Sequence, residues 1–166
     1  MKRMTIGVFF TVAALVLSGC GRVHNNVIVD QPPATMQRPS AVSIASIEVT
    51  STEQNEDAQR LNADLKTTME SELKDMLASK NISVSPHARD TIVANIRVVW
   101  GNRALRFFVG FGAGSGSVVV NVALKNPQGR TMYAIESKAD LSTSRDMVGV
   151  AEDAVEEAVE ELGDKL

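Results

Sequence analysis

The residues whose types could do chemistry are few. There is one cysteine, Cys20, and there are two histidines, His24 and His87. A pair of arginines, Arg103 and Arg106, leads into a glycine run at Gly110, Gly112, Gly114 and Gly116. A lone thiol can act as a nucleophile or accept a modification, but it cannot form an internal disulfide. No histidine pair has metal-ligand spacing, and no Ser or Thr sits in a nucleophile elbow. His87 near Asp90 is the one candidate general base, and a surface-loop histidine is the simpler account of it. Asp and Glu are plentiful, mostly on helix faces that read as solvated. The expectation is therefore a chain that is not an enzyme, with no catalytic residues, no metal and no cofactor.

The context of the cysteine is the strongest signal. Met1-Lys-Arg-Met is a short basic start, and Thr5 to Leu17 is an uncharged, mostly apolar run ending in Leu17-Ser18-Gly19-Cys20. Basic start, apolar run and small residues at the end form the secretory signal pattern. Thirteen helical residues span about 20 Å, short of the roughly 30 Å of a bilayer core, so a permanent membrane-spanning helix is disfavoured. The Leu-Ser-Gly-Cys end resembles the bacterial lipoprotein box. The resemblance implies a diacylglyceryl thioether (and usually a further acyl chain such as palmitate) on Cys20, cleavage before it, and a membrane partner held through that lipid. Two or three acyl chains at about 0.8 kcal/mol per buried CH₂ give a stable anchor where one is marginal. Gly21 rather than Asp after the cysteine points to the outer membrane, facing the periplasm.

The expected domains are a signal peptide at 1–19, a lipidated tether at 20–40 and one folded domain at 41–166. Within the tether, Val27-Ile28-Val29 has strand character, but Pro32, Pro33 and Pro39 favour a semi-extended linker reaching at most about 65–70 Å. His24 reads as a solvated tether residue.

Beyond Ala41 the periodicities are regular. Val42, Ile44, Ile47 and Val49 suggest a strand whose phase slips near Ala45, as a bulge would produce. Glu53 to Ser79 reads as a helix, with Leu61, Leu65, Met69, Leu73, Met76 and Leu77 on one stripe, Ser51 or Thr52 as cap and Lys80-Asn81 as stop. Ile82–Ser85 is a short strand. Thr91 to Trp100 alternates with Ile92, Ala94, Ile96, Val98 and Trp100 on one face. Val118 to Lys125 and Arg130 to Ala139 form a hairpin around Asn126-Pro127-Gln128-Gly129. Met147 to Leu162 is a second helix, with Val148, Ala151, Val155, Ala158, Val159 and Leu162 inward. One apolar stripe per helix and one apolar face per strand predict an α+β two-layer sandwich, both helices packed on one face of a mainly antiparallel sheet.

The glycine run admits four readings. A phosphate loop fails on spacing, because the Lys-Ser/Thr of a P-loop and the sixth-position glycine of a dinucleotide fingerprint are missing and a strand follows. Membrane insertion is open, since Phe107 to Leu124 carries no charge and Gly110/Gly114 and Gly112/Gly116 have small-xxx-small spacing. An anion site is also open, from the guanidinium groups of Arg103 and Arg106 beside glycine amides. The preferred reading is a glycine-rich bend joining two strands, with Phe107, Phe108 and Phe111 at the core edge.

The segment Gly101-x-Arg103-Ala-Leu-Arg106-Phe-Phe-Val-Gly110-Phe-Gly112-Ala-Gly114, followed by alternating valines and a polar turn ending at Gly129, resembles the bacterial family called domain of unknown function 4410. The resemblance covers about residues 41–165. It departs at the turn, where Asn126-Pro127-Gln128-Gly129 replaces an Asp-x-x-x-Gly pattern. It implies a small envelope lipoprotein and supplies no activity.

Composition narrows the partners. Net charge is −3, and −5 once Lys2 and Arg3 are removed with the leader. Aromatics are only 4%. An acidic chain poor in aromatics excludes a nucleic-acid partner. The functional expectation is a non-catalytic interaction or assembly module of the envelope that contacts another envelope protein. Its alternatives are a receptor for a small anionic ligand at Arg103, Arg106, Gly110, Phe111, Gly112 and Gly114, or an oligomeric membrane-associated component.

Overall fold

The computed structural model describes residues 23–28 (backbone), 38–101, 116–140 and 147–166. Their elements are β1 (Val23–Ile28), β2 (Ala41–Ser51), α1 (Glu56–Ser79), β3 (Ser83–Val84), β4 (Asp90–Val99), β5 (Ser117–Lys125), β6 (Thr131–Asp140) and α2 (Met147–Lys165). The strands form a single sheet in the order β1-β6-β5-β4-β2-β3. Three pairings are antiparallel (β1/β6, β6/β5, β5/β4) and two are parallel (β4/β2, β2/β3). Both helices pack against the same layer, α1 on β2 and α2 on β5 and β6, and they touch each other. The molecule is the expected α+β two-layer sandwich.

Alternation of side chains decides which sheet face is buried. Ile92, Ala94, Ile96 and Val98 of β4 face the helices, opposite Leu124, Val122, Val120 and Val118 of β5. The slip in β2 is a bulge: register runs Ile44 opposite Ile92 and then Ser46 opposite Val93, skipping Ala45. The extra residue lets Val42, Ile44, Ile47 and Val49 all contribute to the core side. In α1, Ala58, Leu61, Leu65, Met69, Leu73 and Leu77 are buried, while Met76 is only partly so.

Three expectations are corrected. Residues 23–28, read from sequence as tether, form an edge strand: the prolines lie beyond its end, and β6 would otherwise expose a row of unpaired backbone groups. The cap of α1 is Asn55 rather than Ser51 or Thr52, its Oδ1 accepting from the Ala58 N–H at 2.8 Å. Ser51 and Thr52 are used instead to hold β4. In α2 the buried arc is wider than one stripe and includes Val150 and Ala154, because the helix is contacted by both the sheet and α1. Val148, assigned to that stripe, is 42% exposed.

The ends of the elements are held locally. Asn81, at φ 57°, stops α1, while the Ile82 N–H donates to Leu77 O at 2.8 Å. In the β5–β6 turn, Asn126 Oδ1 accepts from the N–H groups of Gln128 (3.0 Å) and Arg130 (2.9 Å). Gly129 takes φ +76°, which suits glycine. Asn126 thus provides the acceptor oxygen expected of an Asp at such a turn.

Candidate functional site

The residues singled out from sequence, Cys20, Arg103, Arg106, Gly110, Phe111, Gly112 and Gly114, all lie outside the described residues. The fold nevertheless fixes what brackets them. Val99 at the end of β4 is opposite Ser117 at the start of β5, so the two ends of the arginine–glycine segment leave and re-enter the sheet at one point. Ser117 is opposite Asp140, and the adjoining row runs Val23–Ala139–Val118–Val98–Ser51 across five strands. The start of β1 therefore shares one end of the sheet with both ends of that segment.

This sheet end is pinned by polar contacts. The Trp100 indole N–H donates to Ser51 Oγ at 2.6 Å, and the Trp100 backbone N–H donates to Thr52 Oγ1 at 3.0 Å. The Thr52 N–H donates to Val98 O at 3.0 Å. The half-buried tryptophan, the only one in the chain, thereby locks the end of β4 to the end of β2. Sequence periodicity places Trp100 on the inner face but carries no signal for these hydrogen bonds.

Two surface grooves occur elsewhere. One, of ≈ 550 Å³, runs along the outer side of β2 between Ile44–Glu48, the Lys66, Glu70 and Lys74 face of α1, and Val84–Pro86. Beyond Val42, no described strand pairs with β2 on this side. The i, i+4, i+8 spacing of Lys66, Glu70 and Lys74 is legible in the sequence; its position beside a strand edge is not. The Lys74 ammonium, 2.6 Å from Glu70, holds that carboxyl below its usual range. The second groove, ≈ 510 Å³ between α1 and α2, is lined by Glu72, Asp75, Glu156, Glu160 and Asp164, with Lys80 3.9 Å from Asp164. Near it, Glu161 holds the Lys165 ammonium above its usual range from 2.8 Å. Exposed pairs of this kind contribute little to stability.

Among the described residues no group of His, Cys, Asp and Glu is arranged to hold a metal ion. His87 is exposed in the loop between β3 and β4, its backbone N–H donating to Ser85 Oγ at 3.3 Å. Among the described residues, no helix is long and apolar enough to cross a membrane. The latter half of the uncharged run, Val118 to Leu124, is a strand whose alternate residues are buried under the helices.

Comparison with solved structures places this architecture among known folds. A PelC dodecamer from Paraburkholderia phytofirmans, carrying a single leucine-to-methionine substitution, aligns with TM-score 0.54 and 14% identity over 86% of this chain and 98% of the other. A second crystal form of the PelC dodecamer from the same organism gives 0.53 and 14% over 84% and 96%. At such identity the likeness is one of fold. No curated protein matches the chain at a significant level. A family model does match, over residues 36–159, which is most of the chain and spans β2 through the greater part of α2. The chain belongs to the family described as domain of unknown function (DUF4410).

Proposed function

We propose that this chain is a lipid-anchored module of the bacterial envelope that works through protein–protein contacts rather than catalysis. The observation that carries the reading is Leu17-Ser18-Gly19-Cys20, placed after a basic start and an apolar run and three residues ahead of the first strand. A diacylated sulfur at that position ties a folded domain to one leaflet. The outer membrane, periplasmic side, is the destination that Gly21 favours. The partner is another envelope protein.

The solved fold neighbours are described as dodecamers. By extension, this chain assembles with copies of itself into a closed ring and works as an oligomeric, membrane-associated component. Cyclic assemblies arise when one surface of a subunit repeatedly meets a different surface of the next.

The experiment is replacement of the modified residue. Cys20→Ser should move the protein from the membrane to the soluble envelope fraction and abolish the lipid mass increment seen by intact-protein mass spectrometry. A wild-type protein with an uncut N-terminus and a free thiol would end the reading. Native mass spectrometry of the detergent-solubilised wild type tests the assembly: discrete higher oligomers are expected, and monomer alone would remove that part of the proposal.

A further inference from the structure

We propose that the sheet end formed by Val23, Ser51, Trp100, Ser117 and Asp140 is the face that the domain presents to a phospholipid surface, at contact distance. This rests on the lipid at Cys20 proposed above and adds the orientation that the lipid imposes. Only Gly21 and Arg22 separate Cys20 from Val23, where β1 begins. Three backbone steps reach about 10 Å at most, against the 65–70 Å available to a free tether of about twenty residues. Val23 is opposite Ala139, and Ile28 is opposite Ala134, so β1 enters the sheet at this end and runs away from it. The same end receives the close of β2, β4 and β6 and the start of β5. Gly101 and Gly116, the described residues bracketing the arginine–glycine segment, lie there too.

The opposite end holds the Asn126–Arg130 turn, the Lys80–Asn81 stop of α1 and the C-terminal end of α2, joined to α1 through Lys80 and Asp164. At about 3.3 Å per residue, the nine residues of β5 set the two ends about 26 Å apart. A leash of about 10 Å attached at one end cannot bring the other to the bilayer unless the domain lies over on its side.

The leash imposes this orientation whatever the charges at the two ends. Both ends carry both signs. At the near end Asp140 lies 3.3 Å from Lys138, Glu53, Glu56 and Asp57 are close in sequence, and Arg22, Arg103 and Arg106 belong to the segments joined there. At the far end Lys80 faces Asp164, and Arg89 and Arg130 are accompanied by Asp90. Neither end is of one sign, so the short covalent leash decides, and the orientation should not respond to salt.

The test uses the full lipidated chain in vesicles of phosphatidylethanolamine and phosphatidylglycerol containing nitroxide-headgroup lipid. Cys20 is consumed by its thioether, so Asp140→Cys and Gln128→Cys each supply a single free thiol for a fluorophore. Both sites are exposed, one at each end. Quenching at Asp140 should exceed that at Gln128 by about threefold, equally at low and high salt, as expected of a leash shorter than the domain. Equal quenching, stronger quenching at Gln128, or loss of the difference at high salt would overturn the proposal. Should D140C fail to fold, Glu53→Cys is an alternative exposed reporter at the near end. Intact mass of the same samples separates the two readings. A lipidated chain without near-end quenching removes the orientation and leaves the anchor standing, whereas an unlipidated chain removes both.

Discussion

Ser137 is a buried polar residue whose hydroxyl adds nothing to the hydrogen bonding of the sheet. It is fully buried on the helix-facing side of β6, opposite Val120, and its Oγ has no hydrogen-bond partner. An unsatisfied buried hydroxyl costs about 1–3 kcal/mol of desolvation, so Ser137→Ala should leave stability unchanged or raise it by about 1 kcal/mol in urea denaturation. Asn55 is the contrasting case. Its Oδ1 satisfies one of the free N–H groups at the start of α1, and its Nδ2 donates to Glu53 Oε2 at 2.8 Å. Asn55→Ala should cost about 1 kcal/mol in the same measurement, with the loss of helix content confined to the first turn.

At the scale of elements, the core depends on α1. Leu73 is fully buried midway along a stripe that recurs every four residues, and Leu73→Ala should destabilise the domain by about 2–5 kcal/mol, read from the shift of the urea midpoint. β1 matters differently. Six residues add a strand to β6 and take no part in the sequence periodicity that marks the rest of the sheet. Deleting residues 23–28 from a leaderless chain should expose the β6 edge, lower the thermal midpoint and promote aggregation visible by light scattering. The groove beside β2 is flanked by a strand edge whose bulge and charged neighbours, Glu48, Lys66 and Lys74, are the features that keep such edges from pairing indiscriminately.

The whole molecule is a two-layer body, to which the proposed anchor adds a short leash. Its helical layer is acidic, its sheet is capped at one end by the Ser51–Thr52–Trp100 contacts, and the proposed anchor sits beside that end. Trp100→Phe keeps an aromatic ring but removes the indole donor, leaving Ser51 Oγ with only the Glu53 N–H at 3.4 Å, so about 1 kcal/mol of stability should be lost while membrane association is retained. That separation of stability from localisation is checked by denaturation and fractionation of the same variant.

Local pattern is enough for most of this architecture. Alternation in Ile92–Val98 and Val118–Leu124, the four-residue repeat of Leu61–Leu77 and the slip at Ala45 each report burial on one side of one element, and burial is written directly into residue type. The family resemblance is legible because it rests on residue types alone, an uncommon run of arginines and glycines ahead of alternating valines. Features that depend on two distant segments are not legible. β1 reads as a linker because its strand character comes from pairing with β6, more than a hundred residues away. Asn55 does not stand out by type, because Ser51 and Thr52 are equally good caps until their hydroxyls are taken up by Trp100. The end of the sheet from which β1 starts, three residues after the cysteine in sequence, follows from register alone, and register exists only once the strands have met.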